Sequence, residues 1–336
     1  MKLVAPLLAI GAFLITVKSA HAQLVTCTGP DDTEVIQAAI NEHNHVILPA
    51  GICHVSNLDG TNHVDAPNGP KPRGLVIEGQ GLELSQLWPN KSGVNIIDLT
   101  GSSNVTLSKF RICGYCTPKV VPSTGILSAQ TSGSAASDVF GCDRVRVDGS
   151  FSLAAIYILS VASSNIEYCQ FYNYQHGAIT AIFTGNNFFG AASAFVSIDN
   201  ANDQFPSDWT VTGSEFHNFG SDAALWFGGI VGARFYGGNA SWGSNASGQA
   251  IVSVNAVTVK GSNSYPADII FDGTTFYSDS GVQPACAVSG YTSAVTFRAN
   301  FSSMPLTGCR SSGATPAPVT RAAHRARPRR APSYPR

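Results

Sequence analysis

Asn104-Val105-Thr106-Leu107-Ser108-Lys109-Phe110 is the stretch that decides the fold, because its pattern returns along the chain. A β-branched pair is followed by a short polar step and then by a phenylalanine. The same order stands in Asn165-Ile166-Glu167-Tyr168-Cys169-Gln170-Phe171 and in Thr210-Val211-Thr212-Gly213-Ser214-Glu215-Phe216. It comes back in Ile269-Ile270-Phe271-Asp272-Gly273-Thr274-Thr275-Phe276 and in Ala294-Val295-Thr296-Phe297-Arg298-Ala299-Asn300-Phe301, with weaker copies ending at Phe151 and Phe235. Separations from 19 (Phe216 to Phe235) to 45 (Phe171 to Phe216) read as one or two multiples of a period of about 20–25 residues. Such a period without helical spacing predicts a β-solenoid, whose coils bury their inward residues only by stacking on their neighbours. A β-sandwich or jelly roll would space its strands ~8–12 residues apart without a repeating unit.

Composition points the same way. Only 12% of the 336 residues are charged, and 33 are glycine, which argues against helical bundles and coiled coils built from Glu, Lys, Arg and Leu. A hydrophobic fraction of 44% and a mean hydropathy of +0.08 exclude disorder along the whole chain. Six of the arginines fall in the last 16 residues, so residues 23–320 hold 12 Lys plus Arg against 21 Asp plus Glu, a net charge of −9. Nucleic acid is not an expected partner of so acidic a body, because phosphate contacts need clustered cations.

Met1 and Lys2 precede an apolar run from Leu3 to Val17 and the small-residue site Ala20-His21-Ala22. Residues 1–22 therefore read as a signal peptide, and the protein as secreted or periplasmic. No later stretch approaches the ~20 apolar residues of a membrane span. Residues 23–309 form one domain, and 310–336 read as a disordered Pro/Arg-rich tail. Such a basic tail suits either an acidic polymer or no partner at all, and no sequence feature sets an oligomeric state.

Asp31, Asp32 or Thr33 can cap a short helix within residues 31–43, with Ile36, Ala39 and Ile40 as its apolar stripe. A strand, a Pro/Gly turn and a second strand follow over Val46-Ile47-Leu48-Pro49-Ala50-Gly51-Ile52-Cys53, and another strand broken by glycines over 74–84. Asp31-Asp32-Thr33 through Ile36-Gln37-Ala38-Ala39, then Ile47-Leu48-Pro49-Ala50-Gly51 and Val76-Ile77-Glu78-Gly79-Gln80-Gly81, resemble the opening of the pectate-lyase-like superfamily. The resemblance implies an all-β, single-stranded right-handed parallel β-helix of about ten coils, closed by an N-terminal helix. It also implies a carbohydrate-active protein, a polysaccharide lyase or glycoside hydrolase acting on an extracellular polysaccharide, with uronic-acid-containing polymers among the candidates. The alternative is a non-catalytic glycan-binding surface or tailspike-like protein, with Trp226, Tyr236 and Trp242 as sugar-stacking platforms.

All eight cysteines follow the signal segment, and their even number in an exported chain predicts disulfides. Cys113-Gly-Tyr-Cys116 has no second CxxC to complete a zinc site, so its expected role is structural. Strands stacked ~4.8 Å apart bring residues one coil apart within disulfide reach. That pairs Cys27 with Cys53, Cys142 with Cys169 and Cys286 with Cys309, leaving Cys113 to Cys116.

The densest polar set lies between residues 173 and 234. Phe171-Tyr172-Asn173 and Phe216-His217-Asn218 share Phe-x-Asn, and aligning them brings His176 beside Asp222. With the phenylalanines expected two coils apart, Asp199 and Asp203 fill the coil between them. Asp222 is the expected general acid, Asp199 or Asp203 the base or a calcium ligand, and His176 a positioning group. Trp226 and Arg234 are expected to bind substrate. An arginine of the lyase type is open among Arg144, Arg146 and Arg234, and no hydrolase signature of the superfamily is present.

Overall fold

The computed structural model describes residues 22–63, 74–129, 139–159, 163–173, 179–184, 209–218, 223–228, 232–242, 250–255, 257–259, 262–264, 266–278 and 286–302. Each coil contributes a strand to a first sheet, turns a corner into a second, and crosses to a third. Among the described residues the three parallel sheets hold ten, nine and eight strands, stacked in chain order. This is the β-solenoid that the repeat predicts, in the right-handed parallel form that the resemblance implies. The helix α1 (Thr33–Glu42) lies against the first coils and buries Ile36, Ala39 and Ile40. Its flanking residue Asp32 does not cap it with the side chain. The Asp32 carboxylate instead accepts the backbone N–H groups of Thr28, Gly29 and His54, while Asp31 takes the N–H of Thr33. No described helix is long and apolar enough to cross a membrane.

The repeating unit is the corner between the first and second sheets. Lys109, Arg144, Tyr168, Gly213, Gly237, Gly273 and Ala299 each take the left-handed conformation there, with φ between 49° and 69°. Their N–H groups carry the hydrogen-bond ladder round the bend: Lys109 donates to the Asp143 carbonyl, Arg144 to Glu167, Tyr168 to Thr212 and Gly213 to Tyr236. The next residue, Gly238, also has a positive φ (+70°), and a Cβ there would lie 2.1 Å from the Ser214 carbonyl oxygen. Gly238→Ala is therefore expected to lower stability by at least the ~1–3 kcal/mol of such backbone strain. Urea denaturation reads it, and a variant as stable as the parent would mean these corners do not stack closely.

Stacking in register places like on like along the core. Ile77, Leu107, Cys142, Ile166, Val211, Phe235 and Phe271 follow one another up the first sheet. The Phe235 and Phe271 rings stack at 4.7 Å, close to the strand spacing. Phe110 and Phe171 are both inward but not equivalent. Phe171 lies above Val147 and Ile112, two residues past the position of Phe110, an offset that period-2 alternation hides.

The coil count of the long gaps needs correction. Phe171 pairs directly with Phe216, their rings 5.4 Å apart, and Ile166 with Val211. Ile182 likewise pairs with Trp226 in the third sheet. The 45-residue separation is thus one coil, and no coil intervenes to hold Asp199 and Asp203. In sequence they fall between the strands Ile179–Thr184 and Trp209–Thr212, outside the described residues. Insertions lengthen connections without changing which strands stack, so separation in sequence does not count coils.

The Cys27–Cys53, Cys113–Cys116 and Cys142–Cys169 disulfides form as expected, with Cα separations of 5.2, 5.4 and 6.7 Å. Cys309, the expected partner of Cys286, lies outside the described residues, as do residues 1–21 and the tail.

Candidate functional site

The corner fixes which side chains of the second sheet face outward. Two adjacent outward rows result. One runs through Arg111, Arg146, Gln170, Glu215 and Asn239, the other through Asp148, Tyr172, His217, Ser241 and Tyr277. The side chains are two residues apart on each strand and ~4.8 Å apart between strands, so they pack into one continuous polar stripe.

At one end of it Asp148 is fully buried, and its carboxylate is held by two guanidiniums. Arg111 donates through Nε and Nη2 at 2.8 Å each, and Arg146 through Nη2 at 3.0 Å. The hydrogen bonds that Arg111 donates to Asp148 raise its pKa above the ordinary value. Arg111 Nη2 also donates to Tyr115 Oη at 2.7 Å. Arg146 lies over the Tyr172 ring, 5.4 Å from its centre, and its buried Nε has no hydrogen-bond partner among the described residues.

Farther along, the Tyr172 hydroxyl donates to Glu215 Oε2. The His217 ring is 4.7 Å from Tyr172 and 5.7 Å from Tyr277. His217 Nδ1 shares a hydrogen bond with the buried Ser241 hydroxyl, and Nε2 lies 3.2 Å from Tyr277 Oη. Two phenols, one backed by a carboxylate and one by an imidazole, thus flank a single histidine on the same row. Such pairs can exchange protons with a bound molecule.

His176, Asp199, Asp203 and Asp222 lie outside the described residues, and so does the calcium site expected of Asp199 and Asp203. The strands that precede His176 and Asp222, Gln170–Asn173 and Glu215–Asn218, are immediate neighbours in the second sheet. The Phe-x-Asn alignment is correct in register, Asn173 pairing with Asn218. The Asn173 amide clamps the Phe151 backbone, Oδ1 accepting the Phe151 N–H and Nδ2 donating to the Phe151 carbonyl.

The two expected substrate-binding residues do not join this stripe. Trp226 is on the third sheet, whereas the stripe runs along the second. Arg234 is exposed on the first sheet, beside Tyr236. Of the three arginines left open, Arg146 is in the stripe, whereas Arg144 pairs with its neighbour Asp143. Sequence reasoning missed Asp148, Tyr172, Glu215, His217 and Tyr277. Tyr172 and His217 were in view as the central residues of Phe-x-Asn, and alternation from the inward phenylalanine marks both as outward.

A separate hollow of about 320 Å³ lies on the first sheet, over the dent left by Gly141 and between Thr106, Asp143, Asn165 and Glu167. Among the described residues, one group of potential metal ligands converges: Cys27, Asp32 and Cys53. Its cysteines form a disulfide and its carboxylate is taken by backbone N–H groups, so it does not suit a metal.

No protein-family model matches the chain, and no curated protein matches it in sequence. Its fold is a right-handed parallel β-helix. Solved structures similar in fold include sacteLam55A from Streptomyces sp. SirexAA-E, with a TM-score of 0.52 at 13% identity over 79% of this chain and 46% of that one. Tailspike protein 2 of Escherichia coli O157:H7 bacteriophage CAB120 gives 0.48 at 15% identity, over 85% and 42%. The A-module of an Azotobacter vinelandii mannuronan C-5 epimerase gives 0.36 at 13% identity, over 82% and 96%.

Proposed function

We propose that the protein is an exported carbohydrate-active enzyme that cleaves an acidic polysaccharide by elimination along the second-sheet stripe. The observation that carries this reading is the sequence of groups on one face: two guanidiniums, then two phenols backed by Glu215 and His217. Elimination from a uronic acid needs positive charge on the carboxylate, a base to take the proton from the adjacent carbon, and an acid for the leaving oxygen. Arg146 and Arg111 supply the charge. Tyr172, beside Arg146 and with its hydroxyl proton drawn to Glu215, supplies the proton acceptor, and Tyr277 with His217, farther along the stripe, the donor. As the proton leaves, a carbon–carbon double bond forms, the glycosidic C–O bond breaks, and the leaving oxygen takes a proton from the second phenol.

Hydrolysis fits less well. It needs two carboxyl groups flanking the bond, but Asp148 is buried under two guanidiniums and Glu215 is engaged by Tyr172. A non-catalytic glycan-binding role is the second reading, favoured by Tyr115, which is 48% exposed beside Arg111 and open to stack on a sugar. A calcium ion held by Asp199 and Asp203 would be a further element of this reading, and a chelator would then lower activity.

The test is a panel of uronic-acid and neutral polysaccharides, followed by absorbance of unsaturated products and by reducing ends. Both signals rising together on an acidic polymer is the expected result. Reducing ends alone would make the protein a hydrolase, and binding without either signal would make it a glycan-binding protein.

A further inference from the structure

We infer that Glu83 is a built-in occupant of a carboxylate clamp formed by Arg111 and Arg146, which an acidic glycan must displace to bind. The inference rests on the reading that this face receives a glycan. Asp148 engages Nε and Nη2 of Arg111 and Nη2 of Arg146, which fixes the orientation of both guanidiniums from beneath. The remaining Nη1 atoms both approach one carboxylate: Arg111 Nη1 is 3.3 Å from Glu83 Oε2, and Arg146 Nη1 is 3.5 Å from Oε1. One oxygen to each arginine is the way a bridging ligand carboxylate would sit.

The two carboxylates on the clamp are held very differently. Asp148 is fully buried at 2.8–3.0 Å, whereas the Glu83 side chain is 66% exposed and sits beyond the ~2.7–2.9 Å of a strong charge-assisted contact. Exposed pairs of this kind are weak and screened by salt. Asp148 therefore belongs to the frame, and Glu83 is the replaceable member. Two arginines and Asp148 sum to a charge of +1, which Glu83 neutralises. A sugar carboxylate can take over that role without leaving a charge unpaired, and a neutral sugar cannot. Glu83 thereby sets a threshold that favours carboxylated sugars.

The experiment is calorimetric titration of the whole protein and of Glu83→Gln with hexamers of galacturonate and of alginate, and with cellohexaose as the neutral control. Arg146→Gln is run beside them. Glu83→Gln is expected to bind the acidic hexamer about two- to fivefold more tightly, with cellohexaose unchanged and Arg146→Gln weaker. Unchanged or weaker binding by Glu83→Gln, with Arg146→Gln still impaired, would overturn the displacement role and leave the glycan face standing. Should neither acidic hexamer bind the parent protein or Glu83→Gln, the glycan reading falls and the inference with it. Glu83→Gln is the safer variant for folding, since the side chain is mostly exposed and its loss empties no core space.

Discussion

His217→Asn is expected to reduce turnover of an acidic polysaccharide by about 10²–10⁴-fold while leaving the fold in place. The magnitude is that of a positioned acid or base removed from a reacting proton, and His217 packs against both phenols. Asparagine keeps a polar group near Ser241 and avoids stranding that buried hydroxyl, so folding and catalysis can be separated. Tyr277→Phe removes the hydroxyl facing Nε2 and retains the ring. It should cut turnover to a similar degree and leave glycan affinity nearly unchanged, since shape and stacking persist. The measurement is kcat at saturating polymer beside far-ultraviolet circular dichroism. Full activity in both variants would remove the proton-transfer role assigned to this row.

Asp148→Asn should be the most destabilising polar substitution on the stripe, costing about 3–5 kcal/mol. The side chain is fully buried and its two oxygens serve Arg111 and Arg146, whose side chains are only 12% and 27% exposed. Removing the charge leaves two adjacent guanidiniums facing each other with little water to screen them, and the exposed Glu83 compensates weakly. Guanidinium-chloride denaturation measures the loss, and a midpoint equal to the parent's would show that the arginines repair with other partners. Because Asp148 also aims the guanidiniums, the variant should bind acidic oligosaccharides more weakly wherever it remains folded. The two substitutions therefore differ in what they disturb: His217→Asn affects the reaction with the frame intact, and Asp148→Asn affects the frame itself.

Much of this architecture follows from local pattern. The apolar stripe of Ile36, Ala39 and Ile40 predicts the capping helix, observed at Thr33–Glu42. The alternation around Val105-Thr106-Leu107 and its returns predict strands whose inward residues stack, as Leu107 does on Cys142 and Phe235 on Phe271. The spacings of Cys27 with Cys53 and of Cys142 with Cys169 match neighbouring coils, and both disulfides are present. These features depend on side-chain period and on short connections, which a linear chain displays directly. Outward orientation of Tyr172 and His217 is legible by the same alternation.

Tertiary structure alone decided which outward residues meet. The partners of His217, at Ser241 and Tyr277, are 24 and 60 residues away, and Asp148 is 37 residues from Arg111. Two similar separations can mean one coil or two, because connections absorb insertions at little cost in loop entropy while strand pairing stays in register. The 45 residues from Phe171 to Phe216 therefore span a single coil, and Asp199 and Asp203 lose the place between them that a constant period had assigned. The chain by itself determines that a β-helix forms and which side of each strand faces its core. Only the stacking order, fixed by backbone hydrogen bonds and ring-on-ring burial between distant segments, sets Arg111, Arg146, Asp148, Tyr172, Glu215, His217 and Tyr277 on one face.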